Sequence, residues 1–191
     1  IKKELSSNNE VINLNLTESS ESRVIKILLK DLDTTIYNIY TPNGNPLSNA
    51  VKFSNKLKWY QKIKNILAIE IEEGKKVIVG GDFNVIDDER DVVDFKKWVN
   101  DALGCIQIRK EFRSILGTGM INVVRNFHHP GEKFSFWDYQ KAAWERNDGL
   151  LIDHFLVTPN LIDKVNDFGI DSETRGWERP SDHVPIWVKI N

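Results

Sequence analysis

Four polar pairs stand out for what their side chains could do: Asp82 with Asn84, Asp153 with His154, Asp182 with His183, and Tyr40 with Asn43. Each sits at or beside a run of β-branched and aromatic residues. Strand ends are where a rigid scaffold presents reactive groups. Carboxylates and an asparagine oxygen are hard ligands suited to Mg2+ or Mn2+. Zinc is disfavoured, because no Cys/His set has ligand spacing. A histidine brought near a carboxylate is the usual arrangement for an oriented general base.

Each pair also has a plainer reading. Asp82 and Asn84 could cap a turn, and so could Asp182. Asp153 is harder to explain that way, since it lies within the apolar run LIDHFL. A carboxylate there is costly unless partnered, and His183 or a metal are the obvious partners. His154 alternates to the other side of the same strand and reads as structural. His128-His129 precedes Pro130-Gly131 and reads as a surface loop.

The elements that must position these residues are legible in outline. Arg23–Leu29 and Thr34–Tyr40 read as an antiparallel hairpin. Thr41–Pro46 is a turn signal, followed by a helix over about Ala50–Glu73 with Phe53, Leu57, Tyr60, Leu67 and Ile71 as its apolar stripe. Lys76–Gly80 is a short buried strand ending in GGDFN. Residues 85–99 read as loop with a short helix, and Ile108–Leu116 as a helix closed by Gly117. Lys133–Tyr139, Leu151–Thr158 and His183–Ile190 complete the strands. Residues 1–22 are polar and irregular and read as weakly ordered. The 191 residues make one α/β domain of two-layer or sandwiched type, with no internal linker.

Composition narrows the class. With 40% hydrophobic and 28% charged residues, the chain is an ordinary globular protein. No apolar run reaches membrane-span length, and no secretory signal is present. The single Cys105 excludes an internal disulfide and points to a reducing cytoplasm, where the sequon Asn15-Leu16-Thr17 carries no meaning. A net charge of −2 argues against a general nucleic-acid coat. The lysines between Val51 and Lys64, and the basic residues between Gln107 and Arg146, read either as solvated faces or as a phosphate-tracking surface. The chain starts at Ile1 and its only methionine is Met120, which reads as a processed chain or a piece of a longer one.

Five segments in order, IYTPNGNP, GGDFNV, SFWDYQ, GLLIDHFL and GWERPSDHVPIWV, resemble the exonuclease III family of apurinic/apyrimidinic endonucleases, within the endonuclease/exonuclease/phosphatase superfamily. The resemblance runs from about Ile25 to the C-terminus. It implies a four-layered α/β sandwich of the DNase I-like type, with two mainly antiparallel sheets face to face and helices outside. It implies an Mg2+- or Mn2+-dependent hydrolase acting alone on double-stranded DNA. Such an enzyme cuts 5′ of abasic sites and trims 3′ ends as exonuclease and 3′-phosphatase. By the same resemblance Tyr40 contacts the scissile phosphate, and Asp82 activates or holds the attacking water. Asn84 orients that water and contacts phosphate or metal, and Asp153 holds the catalytic His183. The metal set is Asp82, Asn84, Asp182 and His183. Phe136, Leu150 and Ile152 fall where the family builds an apolar pocket for a flipped-out abasic sugar, which excludes a sugar bearing a base by size. Asn43, Trp137, Arg175 and Trp177 are candidate DNA contacts. Whether Asp82 or His183 is the base stays open at this level.

The family's N-terminal strands, one ending in an asparagine and one in a metal-binding glutamate, find no counterpart here. Glu4, Glu10, Glu18 and Glu21 lie in an irregular segment. The expectation is a fragment or truncated member, incomplete at its N-terminus and impaired in metal binding. Two other readings remain: a superfamily phosphatase or sphingomyelinase acting on small or lipid phosphates, and a catalytically dead remnant.

Overall fold

The computed structural model describes residues 9–14, 16 and 21–191. Glu4, Glu18, and Asn15 and Thr17 of the sequon lie outside the described residues. The main sheet has six strands: β1 (Glu10–Leu14), β2 (Val24–Leu29), β3 (Thr34–Tyr40), β4 (Lys76–Asp82), β5 (Ile121–Asn122) and β6 (Asp153–Val157). Their spatial order is β1-β2-β3-β4-β6-β5. Part of the polar N-terminal stretch thus forms an edge strand, with Glu10 opposite Leu28 and Leu14 opposite Val24. The β2–β3 hairpin is antiparallel, as its sequence predicts.

Only β3 and β4 run parallel among these pairs. A parallel pair needs a crossover, and helix α1 (Ala50–Glu72) provides it. Asn49 caps α1, its side chain accepting from Lys52 N at 3.1 Å. The buried face of α1 is Lys56, Trp59, Tyr60, Ile63, Leu67 and Glu70. It is therefore rotated from the apolar stripe read in the sequence. Phe53, Leu57 and Ile71 pack only at its flanks, and two charged residues face inward because each finds partners there.

Alternation along the strands divides the interior in two. Tyr37, Ile39, Val77, Val79 and Leu156 point to α1 and to α2 (Ile106–Leu116), meeting Trp59, Tyr60, Ile108 and Phe112. Ile36, Ile78, Phe155 and Val157 point the other way. There they meet a two-stranded sheet of β7 (Val165–Ile170) and β8 (Ile186–Ile190), through Phe168, Ile170, Ile186 and Val188. Short helices α3 (Val124–Phe127) and α4 (Pro159–Ile162) fill the connections. The result is a helical layer, a six-stranded mixed sheet and a two-stranded sheet. The expectation of an α/β fold is met, but the described residues form three layers rather than four, and on the outward side of β8 the side chains of Trp187 and Lys189 are exposed.

One expected strand does not form. Lys133–Tyr139 makes no ladder, only single bridges from Phe136 to Leu150 and to His183. The segment is held from both sides at once. Ser135 N and Phe136 N donate to Leu150 O at 2.8 and 3.0 Å, while Trp137 N donates to Asp182 O and Val184 N to Ser135 O, both at 2.9 Å. It is a brace between the two sheets.

Candidate active site

Strand register brings the first chemistry together. Tyr40 pairs with Asp82 across β3 and β4, and Asp82 with Asp153 across β4 and β6. Three adjacent strands therefore carry Tyr40, Asp82 and Asp153 in one row. All three lie on the face that looks toward the second sheet, at the carboxyl ends of the parallel pair. That is where open α/β sheets present ligands. Gly81 makes the row possible: its φ is +137°, and a Cβ there would stand 2.1 Å from Ile39 O.

The second sheet closes the site from above. His183, three residues before β8, donates from Nδ1 to Asp153 Oδ2 at 2.8 Å. Its Nε2 is 3.9 Å from Asp82 Oδ2. The ring rests edge-on against Phe136, with centroids 4.9 Å apart. Asp182 stands beside it, taking a 3.4 Å bond from Ser181 Oγ. Burial opposes a charge on His183, but the hydrogen bond and charge of Asp153, with Asp82 and Asp182, push its pKa up to about 9. Burial and the neighbouring Asp153 charge push Asp82 well above the usual carboxylate range, against the pull of His183, the Asn84 N–H and Lys56.

Asn84 fixes Asp82 from below. Its backbone N donates to Asp82 Oδ1 at 2.7 Å, and its Nδ2 to Asp82 Oδ2 and Thr41 O, both at 2.8 Å. The turn reading of this pair thus fits these contacts, with Asn84 at φ +48°, a region asparagine tolerates. Asn84 Oδ1 takes only a 3.4 Å bond from Asn43 Nδ2 among the described contacts.

Two buried residues that the sequence left unnoticed hold this arrangement. Ser135, fully buried, donates from Oγ to Asp153 Oδ2 at 2.6 Å, the oxygen that also meets His183. Its Oγ accepts from Asp153 N at 3.1 Å. Lys56 is fully buried, and its ammonium donates to Asn43 O, Asn84 O and Ala102 O at 2.9, 2.7 and 2.8 Å. Burial pushes Lys56 down to about 7, against the charges of Asp82, Asp101 and Cys105. The three carbonyls need all three N–H donors and so resist loss of that proton. A serine in an aromatic run and a lysine on a helix carry no signal of such roles. Only the tertiary fold supplies their partners.

Other expected residues are placed differently. Leu150 and Ile152 are 3% and 1% exposed, packed with Ile86, Val92 and Leu103. They form core, and only Phe136 of the expected pocket is partly open. Trp137 is buried against Ala143 and Val184. Arg175 is buried too, donating from Nε and one terminal nitrogen to Trp137 O. Both shape the surface from beneath. Asn43, Trp177 and Tyr40 are exposed, Trp177 at 68% and Tyr40 at 54%. His154 is fully buried between Phe83 and Phe112, as a structural histidine should be. Among the basic residues after Gln107, Arg113 pairs with Asp87, Arg125 with Asp91 and Arg146 with Asp148. That stretch neutralises much of its charge internally.

The residues suit a hard divalent cation. Asp82 and Asp153 share one sheet end with an excess of negative charge, and Asn84 Oδ1 adds an oxygen. Mg2+ usually takes one or two carboxylates and completes its shell with water and substrate phosphate. Among the described residues no three His, Cys, Asp or Glu side chains form a ready cage.

Known proteins resemble this chain in sequence and in fold. The pattern described as the Endonuclease/Exonuclease/phosphatase family matches residues 11–183. Exodeoxyribonuclease III of Haemophilus influenzae is 28% identical over 194 residues, covering 95% of this chain and 72% of that enzyme. The exodeoxyribonuclease of Bacillus subtilis is 29% identical, covering 90% of this chain and 65% of that one. The 3′ phosphatase NExo from Neisseria, solved bound to product DNA hairpin, matches with a TM-score of 0.87 at 29% identity, over 97% of this chain and 71% of that chain. An AP endonuclease from Archaeoglobus fulgidus matches at 0.84 and 26%, over 96% and 72%.

Proposed function

This chain belongs to the endonuclease/exonuclease/phosphatase family, and on that premise we propose that it is a Mg2+- or Mn2+-dependent phosphoesterase of DNA repair. It hydrolyses phosphodiesters in duplex DNA 5′ of abasic sites and removes nucleotides or phosphate from 3′ ends. The supporting observation is the row of Tyr40, Asp82 and Asp153 capped by His183, whose Nδ1 lies 2.8 Å from Asp153.

The roles follow from the contacts. Asp153, fixed by Ser135, holds His183 in one orientation and stabilises its imidazolium. His183 and the Tyr40 hydroxyl face the charge that develops on the phosphoryl oxygens. Asp82, raised in pKa and oriented by Asn84, takes the proton of an attacking water. Asp82 and the Asn84 oxygen, with Asp182 at the rim, would hold the divalent ion, which supplies Lewis-acid stabilisation of the phosphoryl group when bound.

Within this reading, 3′-end processing is favoured over abasic incision. In support of this order, Leu150 and Ile152 are buried against Ile86, Val92 and Leu103, so that of the expected pocket residues only Phe136 is partly open.

The test uses two labelled duplexes, one with an internal abasic analogue and one with a 3′-phosphate, each with Mg2+ or EDTA. EDTA-sensitive release of the 3′-phosphate, faster than incision at the abasic site, is expected. Turnover of small phosphate esters with both duplexes intact would sink the proposal.

A further inference from the structure

A polar cleft of about 390 Å3 opens beside the catalytic row, outside the site described above. One wall is α1, where Lys52, Asn55, Lys58 and Lys62 line it. Their three- and four-residue spacing places them on one helix face. Arg23 and Glu21 stand opposite, and Pro42–Asn45 form the end nearest the site. Among the described lining residues Lys52, Lys62 and Arg23 stand with one carboxylate, Glu21, which pairs with Arg23 at 2.7 Å.

The cleft is continuous with the catalytic row at two points. Asn43, in its lining, reaches Asn84 Oδ1 at 3.4 Å. The Arg23 guanidinium lies 4.9 Å over the Tyr40 ring and donates to Tyr40 O at 3.4 Å. The hollow on the far side of His183 differs in kind, being lined by Tyr139, Trp144 and Trp177 with Asp138, Glu145 and Arg175. Of these two hollows, the cleft along α1 is the one whose described lining residues include more cations than carboxylates.

We propose that this cleft is a phosphate-binding subsite that holds the sugar–phosphate backbone of the substrate strand next to the scissile phosphate. The proposal rests on the DNA-directed reading above. Lysine ammoniums with asparagine amides suit phosphodiester oxygens and carry no preference for base. Lys52 and Lys62 are ten residues apart, about 15 Å along the helix at ~1.5 Å per residue. That matches the axial rise of about four nucleotides at ~3.4 Å each. Lys62 Nζ now donates to the carbonyl of Leu16 at 2.9 Å, a neutral acceptor that a phosphate can replace.

The experiment measures binding without turnover. Fluorescence anisotropy of a labelled duplex with a recessed 3′ end is recorded in EDTA across a salt series. The whole chain is compared with Lys52→Gln/Lys62→Gln, both exposed positions that leave the fold intact. Each lost phosphate contact lowers the slope of log K against log salt by ~0.9, so a fall of about 1.8 is expected, with roughly tenfold weaker binding at low salt. Lys96→Gln/Lys97→Gln, on a turn elsewhere, should leave slope and affinity unchanged. An unaltered slope in the cleft variant, an equal loss in the control, or no salt-dependent binding by the parent chain would overturn the subsite. If the parent processes DNA while the cleft variant binds normally, the subsite fails and the enzymatic reading stands. If the cleft variant loses slope but the parent never cuts DNA, the subsite stands and the enzymatic reading fails.

Discussion

Replacing Lys56 with methionine nearly keeps the length of the side chain and removes its charge and its three donors. Those donors reach Asn43 O, Asn84 O and Ala102 O at 2.7–2.9 Å, in a site with no solvent exposure. Three stranded carbonyls cost about 1–3 kcal/mol each. Relief from burying an ammonium returns several kcal/mol, so the net loss is about 3 kcal/mol. For a chain of this size each kcal/mol moves Tm by about 2–4 °C, giving a fall of about 6–12 °C. The loops freed are those that carry Asn43 and Asn84, and a displacement of about 1 Å at a reacting centre costs on the order of 100-fold in rate. Thermal unfolding by circular dichroism gives the first quantity. Single-turnover processing of a 3′-phosphate duplex, well below either Tm, gives the second. A variant with unchanged Tm and a rate within twofold of the parent refutes the idea that this lysine ties the loops together.

Ser135→Ala removes the donor to Asp153 Oδ2 and should lower kcat about tenfold with KM near its parent value, in line with the ~1.5–3 kcal/mol of a hydrogen bond to a charged group. A matching loss in KM alone would contradict a role in aligning His183. His183→Ala should reduce turnover by about 100- to 10,000-fold, the range for losing an acid–base group, while circular dichroism stays unchanged. Activity within a few-fold of the parent means the assigned site is wrong. Glu70 is held below its usual pKa: burial opposes this, but hydrogen bonds from Lys26 and Tyr37 outweigh it. A depressed carboxylate contributes stability above its unfolded pKa and loses it as pH falls through the folded value. Urea unfolding should therefore show Glu70→Gln least stable relative to the parent at neutral pH, with the gap narrowing toward about pH 3. A gap that is constant or widens in acid rejects this.

The parts legible in the sequence are those whose signals are local. The hairpin of β2 and β3, helix α1 and the strand before Gly81 follow from periodicity and turn residues alone. The need of Asp153 for a partner is also legible, because an acid inside LIDHFL is costly unless paired, though whether His183 or a metal supplies it is not. What escaped notice depends on neighbours far along the chain. Lys56 reads as a solvated lysine until the loops at Asn43, Asn84 and Ala102 close over it. β7 reads poorly because of Asn166, Asp167 and Gly169, yet Gly169 is where the Trp187 ring lies across the strand, and a Cβ there would sit 2.3 Å from it. Lys133–Tyr139 has strand composition but is pinned by single bridges on either side. Leu150 and Ile152 are apolar as a pocket lining would be, but packing against Ile86 and Val92 takes them into the core.

The side-by-side register of Tyr40, Asp82 and Asp153 has a bearing on how the protein comes to work at all. These residues are 42 and 71 positions apart, and no local segment can assemble even two of them. The central parallel pair must first close around the whole of α1, and the C-terminal third must then add β6 at the opposite edge of β4. Such distant pairings form late and slowly, because loop closure is unfavourable until they are complete. Competence thus arrives with the last long-range contacts, so recovery of hydrolysis after dilution from denaturant should lag the return of helical signal.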